Sequence, residues 1–259
     1  MLDADVPVSR IRFASRYGFR HLGLSLVVAL ACAGIVFGLL YPPPYRAMLG
    51  VGSIFMLVLV VDVVCGPLLT LVLASPRKSR RERWLDFSLV GLIQLAALGY
   101  GLHSVWAARP VALVFEVDRL VVVTANQLQA DALPSAPEGL RRVPWIGQLK
   151  ASTRPPRNSD EVVRGMEQGS AGISLAQQPD WWRPWSEGLE GMRRYAKPLS
   201  ELMERRPEAK KYLQDAAQDT GRTVQELRYL PLVSNKTLDW VALLDQDLNV
   251  VGWAPVDGF

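Results

Sequence analysis

The sequence predicts a membrane protein with three transmembrane α-helices followed by a small α+β extracytoplasmic domain. Three observations carry this. First, apolar runs over residues 22–41, 47–74 and 84–105 follow one another in a chain of 259 residues. Each is long enough to cross a hydrocarbon core of about 30 Å. Second, residues 1–106 carry ten basic and five acidic side chains, whereas residues 107–259 carry 19 and 20. The basic excess therefore belongs to the apolar half, in an arm and one loop. Third, the remaining segment opens and closes on short β-branched, apolar runs, with helical spacing between them.

The elements follow in order. Residues 1–21 form a basic arm with Arg10, Arg12, Arg16 and Arg20. The first span, 22–41, is read as an uncleaved helix because two more spans follow it. Tyr41 and a run of three prolines end it, since proline has no backbone donor and cannot continue a helix. The second span, 47–74, follows at once. A loop with Arg77, Lys78, Arg80, Arg81 and Arg83 leads to the third, 84–105. Arg46 alone marks the turn between the first two spans. The positive-inside rule then puts the N-terminus and the Arg77–Arg83 loop in the cytoplasm, and residues 107–259 on the other side of the membrane.

In the outer segment, residues 111–116 and 120–124 read as a hairpin or one long strand. Residues 131–158 are rich in Pro, Ser and Arg and read as loop. A helix is expected from about Asn158-Ser159-Asp160. Leu199, Leu202 and Met203 have helical spacing, as do Tyr212, Leu213, Ala216 and Ala217. Pro207 suits the first turn of the second of these helices and Gly221 its end. Thr223 and Glu226 have capping-box spacing. Residues 240–253 read as a terminal hairpin turning at Asp245-Gln246-Asp247.

Composition also excludes classes of function. The two cysteines, Cys32 and Cys65, lie in apolar runs, and the two histidines, His21 and His103, lie near span ends. The outer segment therefore has neither the His for a Ser-His-Asp triad nor a Cys/His metal set. No catalytic residue, metal or cofactor is expected. The near-neutral outer segment gives no footprint for nucleic acid.

An ordered series of residues carries a resemblance. It begins with His21-Leu22 and Tyr41-Pro42, then Val61-Asp62-Val63, Gly66-Pro67-Leu68-Leu69-Thr70 and Lys78. It continues through Asp86, Gln94, Ala97-Leu98, Tyr100-Gly101 and Arg109-Pro110, and closes on Leu243-Leu244-Asp245 and Val250-Val251-Gly252. In this series the chain resembles the type IV pilin accessory proteins of the TfpX/TfpZ type. The resemblance is densest over residues 41–124. It implies a non-enzymatic inner-membrane factor that assists pilin stability or pilus assembly. The implied partners are type IV pilin, the assembly machinery and membrane lipids.

Candidate site residues fall in two groups. Asp62 and Gln94 lie about halfway along the second and third spans, where polar groups are costly and need partners. One reading is a hydrogen bond between a protonated Asp62 side chain and Gln94 that glues the bundle. The other, from the resemblance, is a polar contact to the apolar N-terminal helix of a pilin. Gly66-Pro67 reads as a kink, or as a source of freed carbonyls for a partner. An aspartyl protease would need a second facing carboxylate; Asp86 is 24 positions away, and no GxGD motif is present. Trp181, Trp182 and Trp185 read as core or interface anchors, or as an outer contact surface. The competing reading is a membrane-anchored sensory protein whose outer domain binds a ligand, but the cytoplasmic segments offer it no output domain.

Overall fold

A computed structural model describes residues 6–259. The chain divides into a helical unit ending at Ala107 and a second unit of Ala108–Phe259, which also takes in the turn Pro43–Leu49.

The helical unit is three helices. α1 is Val6–Ile35, continued by a π turn, Val36–Leu40, in which the Tyr41 N–H donates to the Val36 carbonyl at 2.8 Å. α2 is Val51–Leu73 and α3 is Arg80–Ala107. All three are long and apolar enough to cross a membrane. Ser79 and Glu82 cap α3 reciprocally: the Glu82 N–H donates to Ser79 Oγ, and the Ser79 N–H donates to the Glu82 carboxylate. Lys78 pairs with Asp86 at 2.6 Å one turn further in.

α2 is the middle helix and packs against both α1 and α3. Its approach to α3 depends on Gly101, where a Cβ would lie 2.3 Å from Val58 Cγ2. α1 and α3 meet each other at their ends. At one end the Tyr17 and Phe87 rings are 5.4 Å apart and the Arg83 guanidinium lies 5.4 Å from the Phe13 ring. At the other, the Tyr41 hydroxyl donates to the Val105 carbonyl at 2.8 Å.

The second unit is a small α/β domain. In chain order its elements are β1 (Pro110–Glu116), β2 (Arg119–Thr124), β3 (Leu149–Thr153), α4 (Ser159–Ser170), β4 (Trp182–Pro184), α5 (Leu189–Tyr195), β5 (Lys197–Pro198), α6 (Leu199–Arg205), α7 (Lys210–Asp219), β6 (Arg228–Val233), β7 (Trp240–Leu244) and β8 (Val250–Ala254). The strands form one sheet in the order β4-β3-β1-β2-β6-β7-β8, with β5 pairing β6 off this path. β1 runs parallel to β3 and β2 parallel to β6; the other pairs are antiparallel.

Of the two readings left open, β1 and β2 take the hairpin, turning at Val117-Asp118, and are buried on both faces, which explains their unbroken apolar runs. One core cluster joins Val111, Val114, Val121 and Val123 to Leu128, Leu140 and Trp182. A second joins Tyr229, Val241 and Leu243 to Leu199, Leu202, Leu213 and Ala217 of α6 and α7. The terminal hairpin β7–β8 and the helices α4, α6 and α7 occur where the spacing put them. Asn158 caps α4 by accepting from the Glu161 N–H at 2.9 Å. Gly221 follows α7 with φ of 70°, and Thr223 and Glu226 form the capping box.

Four strands depart from the sequence reading: the short β4 and β5, and the inner strands β3 and β6. β3 lies inside the stretch read as loop, and β6 carries Pro231 in its middle. A proline argues against an inner strand because it has no N–H to give. Here β5 pairs with residues 228–229 and β2 with residues 232–233, so Pro231 falls in the gap between those two partners. These inner strands, β3 and β6, make the sheet mixed.

Candidate functional site

The site is built around Pro67. In a regular helix its ring would press on the Val63 carbonyl and supply no N–H to it. The backbone widens instead into a π turn over Val61–Cys65. In that register the Asp62 carbonyl faces position 67, where proline has no N–H to offer. Gln94 of α3 fills the vacancy: its Nε2 donates to the Asp62 carbonyl at 3.0 Å. Gly66 leaves the space for it, since a Cβ there would lie 2.0 Å from Gln94 Nε2. The structure thus brings Asp62, Gly66, Pro67 and Gln94 together, but through the backbone of Asp62. The side-chain bond that the spacing suggested between Asp62 and Gln94 is replaced by this one, because the freed carbonyl takes the amide.

The Asp62 carboxyl is left to itself. The residue is 8% exposed, and its Oδ1 has no hydrogen-bond partner. It lines a cavity of about 230 Å³ between the three helices. Gln94 lines the same cavity, as do His21, Ser25, Ala29 and Cys32 of α1. His21 Nδ1 lies 2.5 Å from Thr70 Oγ1, joining α1 to α2. Sequence reasoning missed this α1 face. Its signal was present: positions 21, 25, 29 and 32 are polar or small and fall on one side of a helix. Asp86 is engaged by Lys78.

The tryptophans fall otherwise than as one surface. Trp181 and Trp182 are buried at 1% and 2% exposure, so neither presents an outer contact. Trp182 belongs to the sheet core and its Nε1 donates to the Ala176 carbonyl at 2.9 Å. Trp181 lies between two guanidiniums, with Arg154 at 4.7 Å and Arg164 at 5.3 Å from its ring centroid. Those cations are fixed by Glu161 and Asp180, each at 2.7 Å. Trp185 alone is half-buried, with Lys150 at 6.0 Å from its ring. A different aromatic position, Trp145, is 79% exposed beside Ile146 at 60%. In the turn after α1, burial pushes the Tyr45 phenol up to about 12, and the Tyr45 ring sits 6.1 Å from Trp253 of β8.

The fold and the site define a class: a bundle of three long apolar helices that encloses a few polar side chains, followed by a small α/β domain. Comparison with known proteins makes the class particular. The family profile described as fimbrial assembly protein FimB matches residues 9–50. The fimbrial assembly proteins of serogroups I and E1 of Dichelobacter nodosus are each 37% identical over 251 residues, which is 96% of this chain and 98% of each relative. That of serogroups C1 and C2 is 42% identical over 127 residues, 49% of this chain and 97% of the relative. The chain belongs to this family of fimbrial assembly proteins, in agreement with the pilin-accessory resemblance of its residue series. No solved structure matches.

Proposed function

We propose that the chain is a non-enzymatic accessory factor of the bacterial inner membrane that assists type IV pilin stability or pilus assembly by binding pilin transiently. The observation that carries the reading is the 37% identity, along 96% of the chain, to proteins named for fimbrial assembly. α1, α2 and α3 cross the membrane, with residues 1–21 and the Arg77–Arg83 loop in the cytoplasm. The outer domain and the turn Pro43–Leu49 lie in the periplasm. Charge supports this orientation, since basic residues crowd the cytoplasmic ends. So does the turn's membership in the same unit as the outer domain.

In this account the helices receive the apolar helix of a pilin subunit while the outer domain touches its globular part. The assembly machinery is met through the pilin. Lipid-reactive and amine-reactive crosslinkers applied to intact cells, followed by isolation of the full-length chain, test the binding. An adduct containing pilin is expected. Adducts with other membrane proteins but none with pilin overturn direct binding.

A further inference from the structure

We propose that the opening between α1 and α3 is the seat for the pilin helix, and that Asp62 at its floor accepts a hydrogen bond from one donor group on that helix. The inference deepens the function proposed above and rests on it. Three features of the helical unit lead to it.

The first is the shape of the opening. α1 and α3 are tied at one end by Tyr17, Phe87, Phe13 and Arg83, and at the other by the Tyr41–Val105 bond. Between those ties both helices rest on α2, and the cavity lies there. A cleft pinned at both ends is formed before anything enters it, which lowers the ordering cost of binding.

The second is its chemistry. Leu24 of α1 and Leu95 of α3 line the cavity and are 65% and 68% exposed, so its lips are apolar. Its floor holds a buried carboxyl oxygen without a partner. In hydrocarbon an unmet polar group is costly, so the occupant that fits is apolar along its length and brings one donor. An acyl chain brings none. A hydroxyl, an amide or an ammonium on an apolar helix satisfies both requirements.

The third is size. A cavity of about 150 Å³ holds benzene, whereas a helix is about 10 Å across. The 230 Å³ here therefore admits one side chain, with its helix resting on the lips. The bond from Gln94 goes to the Asp62 backbone, so changing the Asp62 side chain leaves that tie between α2 and α3 in place.

The test places a photo-crosslinking amino acid, one position at a time, at Leu24, Leu95, Leu57 and Ile146 of the full chain in cells making pilin. Leu57 is 68% exposed on α2 and lies off the cavity; Ile146 is in the outer domain. The expected result is pilin captured from Leu24 and Leu95, with background only at Leu57. Asp62→Leu should lower capture from the lips by about three- to tenfold, the worth of one interhelical hydrogen bond, at unchanged chain level. Asp62→Asn, which keeps an acceptor, should retain most of it. Should Asp62→Leu fail to accumulate, the native-chain probes and Asp62→Asn still decide. Capture from the lips of lipid alone or of a second copy, or pilin capture indifferent to Asp62→Leu, overturns the seat. If Ile146 still captures pilin in that case, the function proposed above stands. Pilin captured from none of the four positions overturns that function as well.

Discussion

In the outer unit Leu232, Leu243 and Trp181 are inside, at 1% exposure or less; in the helical unit Leu24, Leu57, Val72 and Leu95 are 65–69% exposed, while Ser25, Asp62 and Thr70 are buried. The two units therefore place the same residue types on opposite sides. The outer unit is held by removing apolar surface from water, and its strands β1, β2, β6 and β7 are buried on both faces to do so. The helices show the distribution expected of segments solvated by lipid, where apolar surface gains nothing by turning inward. What joins α1, α2 and α3 is close packing at Gly101 and Gly66 and a few directed polar bonds from Gln94, His21 and Tyr41. The difference teaches where each unit is vulnerable: the outer one in its volume, the helical one in its small residues and its few polar bonds.

Four outcomes would break or sharpen this contrast. The largest is all-or-none. With Cys32 and Cys65 replaced, Ser159→Cys should react with an impermeant thiol reagent in intact spheroplasts. Labelling only after lysis would put the outer unit in the cytoplasm and invert the arrangement.

Next is core volume. Leu243→Ala should destabilise the outer unit by about 2–5 kcal/mol, whereas Leu57→Ala on an exposed helix face should stay within about 0.5 kcal/mol. Denaturant titration in micelles separates the two, because six of the eight tryptophans report the outer unit. Equal losses would mean that the helices bury apolar surface as a water-soluble bundle does.

Within the helices, Gly66→Val must expel Gln94 and should cost about 1–3 kcal/mol by overpacking. Gln94→Leu loses one bond and should cost only about 0.6 kcal/mol. Steady-state levels in membranes should fall in that order, and a reversed order would deny that Gly66 exists to admit Gln94.

The smallest effect is a pH dependence confined to the outer unit. The Arg154 side chain and then the Arg157 N–H hold the Glu161 carboxyl at about 2, below its ordinary 4.5. A depressed carboxylate contributes stability above its unfolded value and loses it as pH falls, here from about pH 4.5 toward 2. Thermal unfolding across that range should show a modest decline that Glu161→Gln flattens. An identical decline in the variant would remove Glu161 from the account.

Much of the fold was legible because its signals are local. The three apolar runs, the Val-rich hairpin β1–β2, the Asn158 cap and the Thr223–Glu226 box each lie within a few residues of sequence. β6 was hidden because Pro231 is acceptable only where two partners leave a gap, a fact of sheet assembly. β3 was hidden in a stretch whose prolines and arginines outweigh five strand residues. Between α2 and α3, the nearness of Asp62 and Gln94 was legible and their bonding was not. Asp62 and Gln94 share a depth, but which Asp62 atom Gln94 meets depends on the π turn that Pro67 imposes. For Trp181 and Trp182 the core reading holds and the outer-contact reading does not; the sequence left both open, since a tryptophan-rich stretch has the same letters inside a core as on a surface.

The measurement that bears most directly on the account is the amount of surface-exposed pilin in a strain lacking this chain, normalised to pilin synthesised, beside the same strain with the chain restored. The account predicts fewer surface pili and reduced twitching at undiminished pilin synthesis, both recovered on restoration. Normal piliation in the deletion strain, with no related accessory protein present, would contradict it.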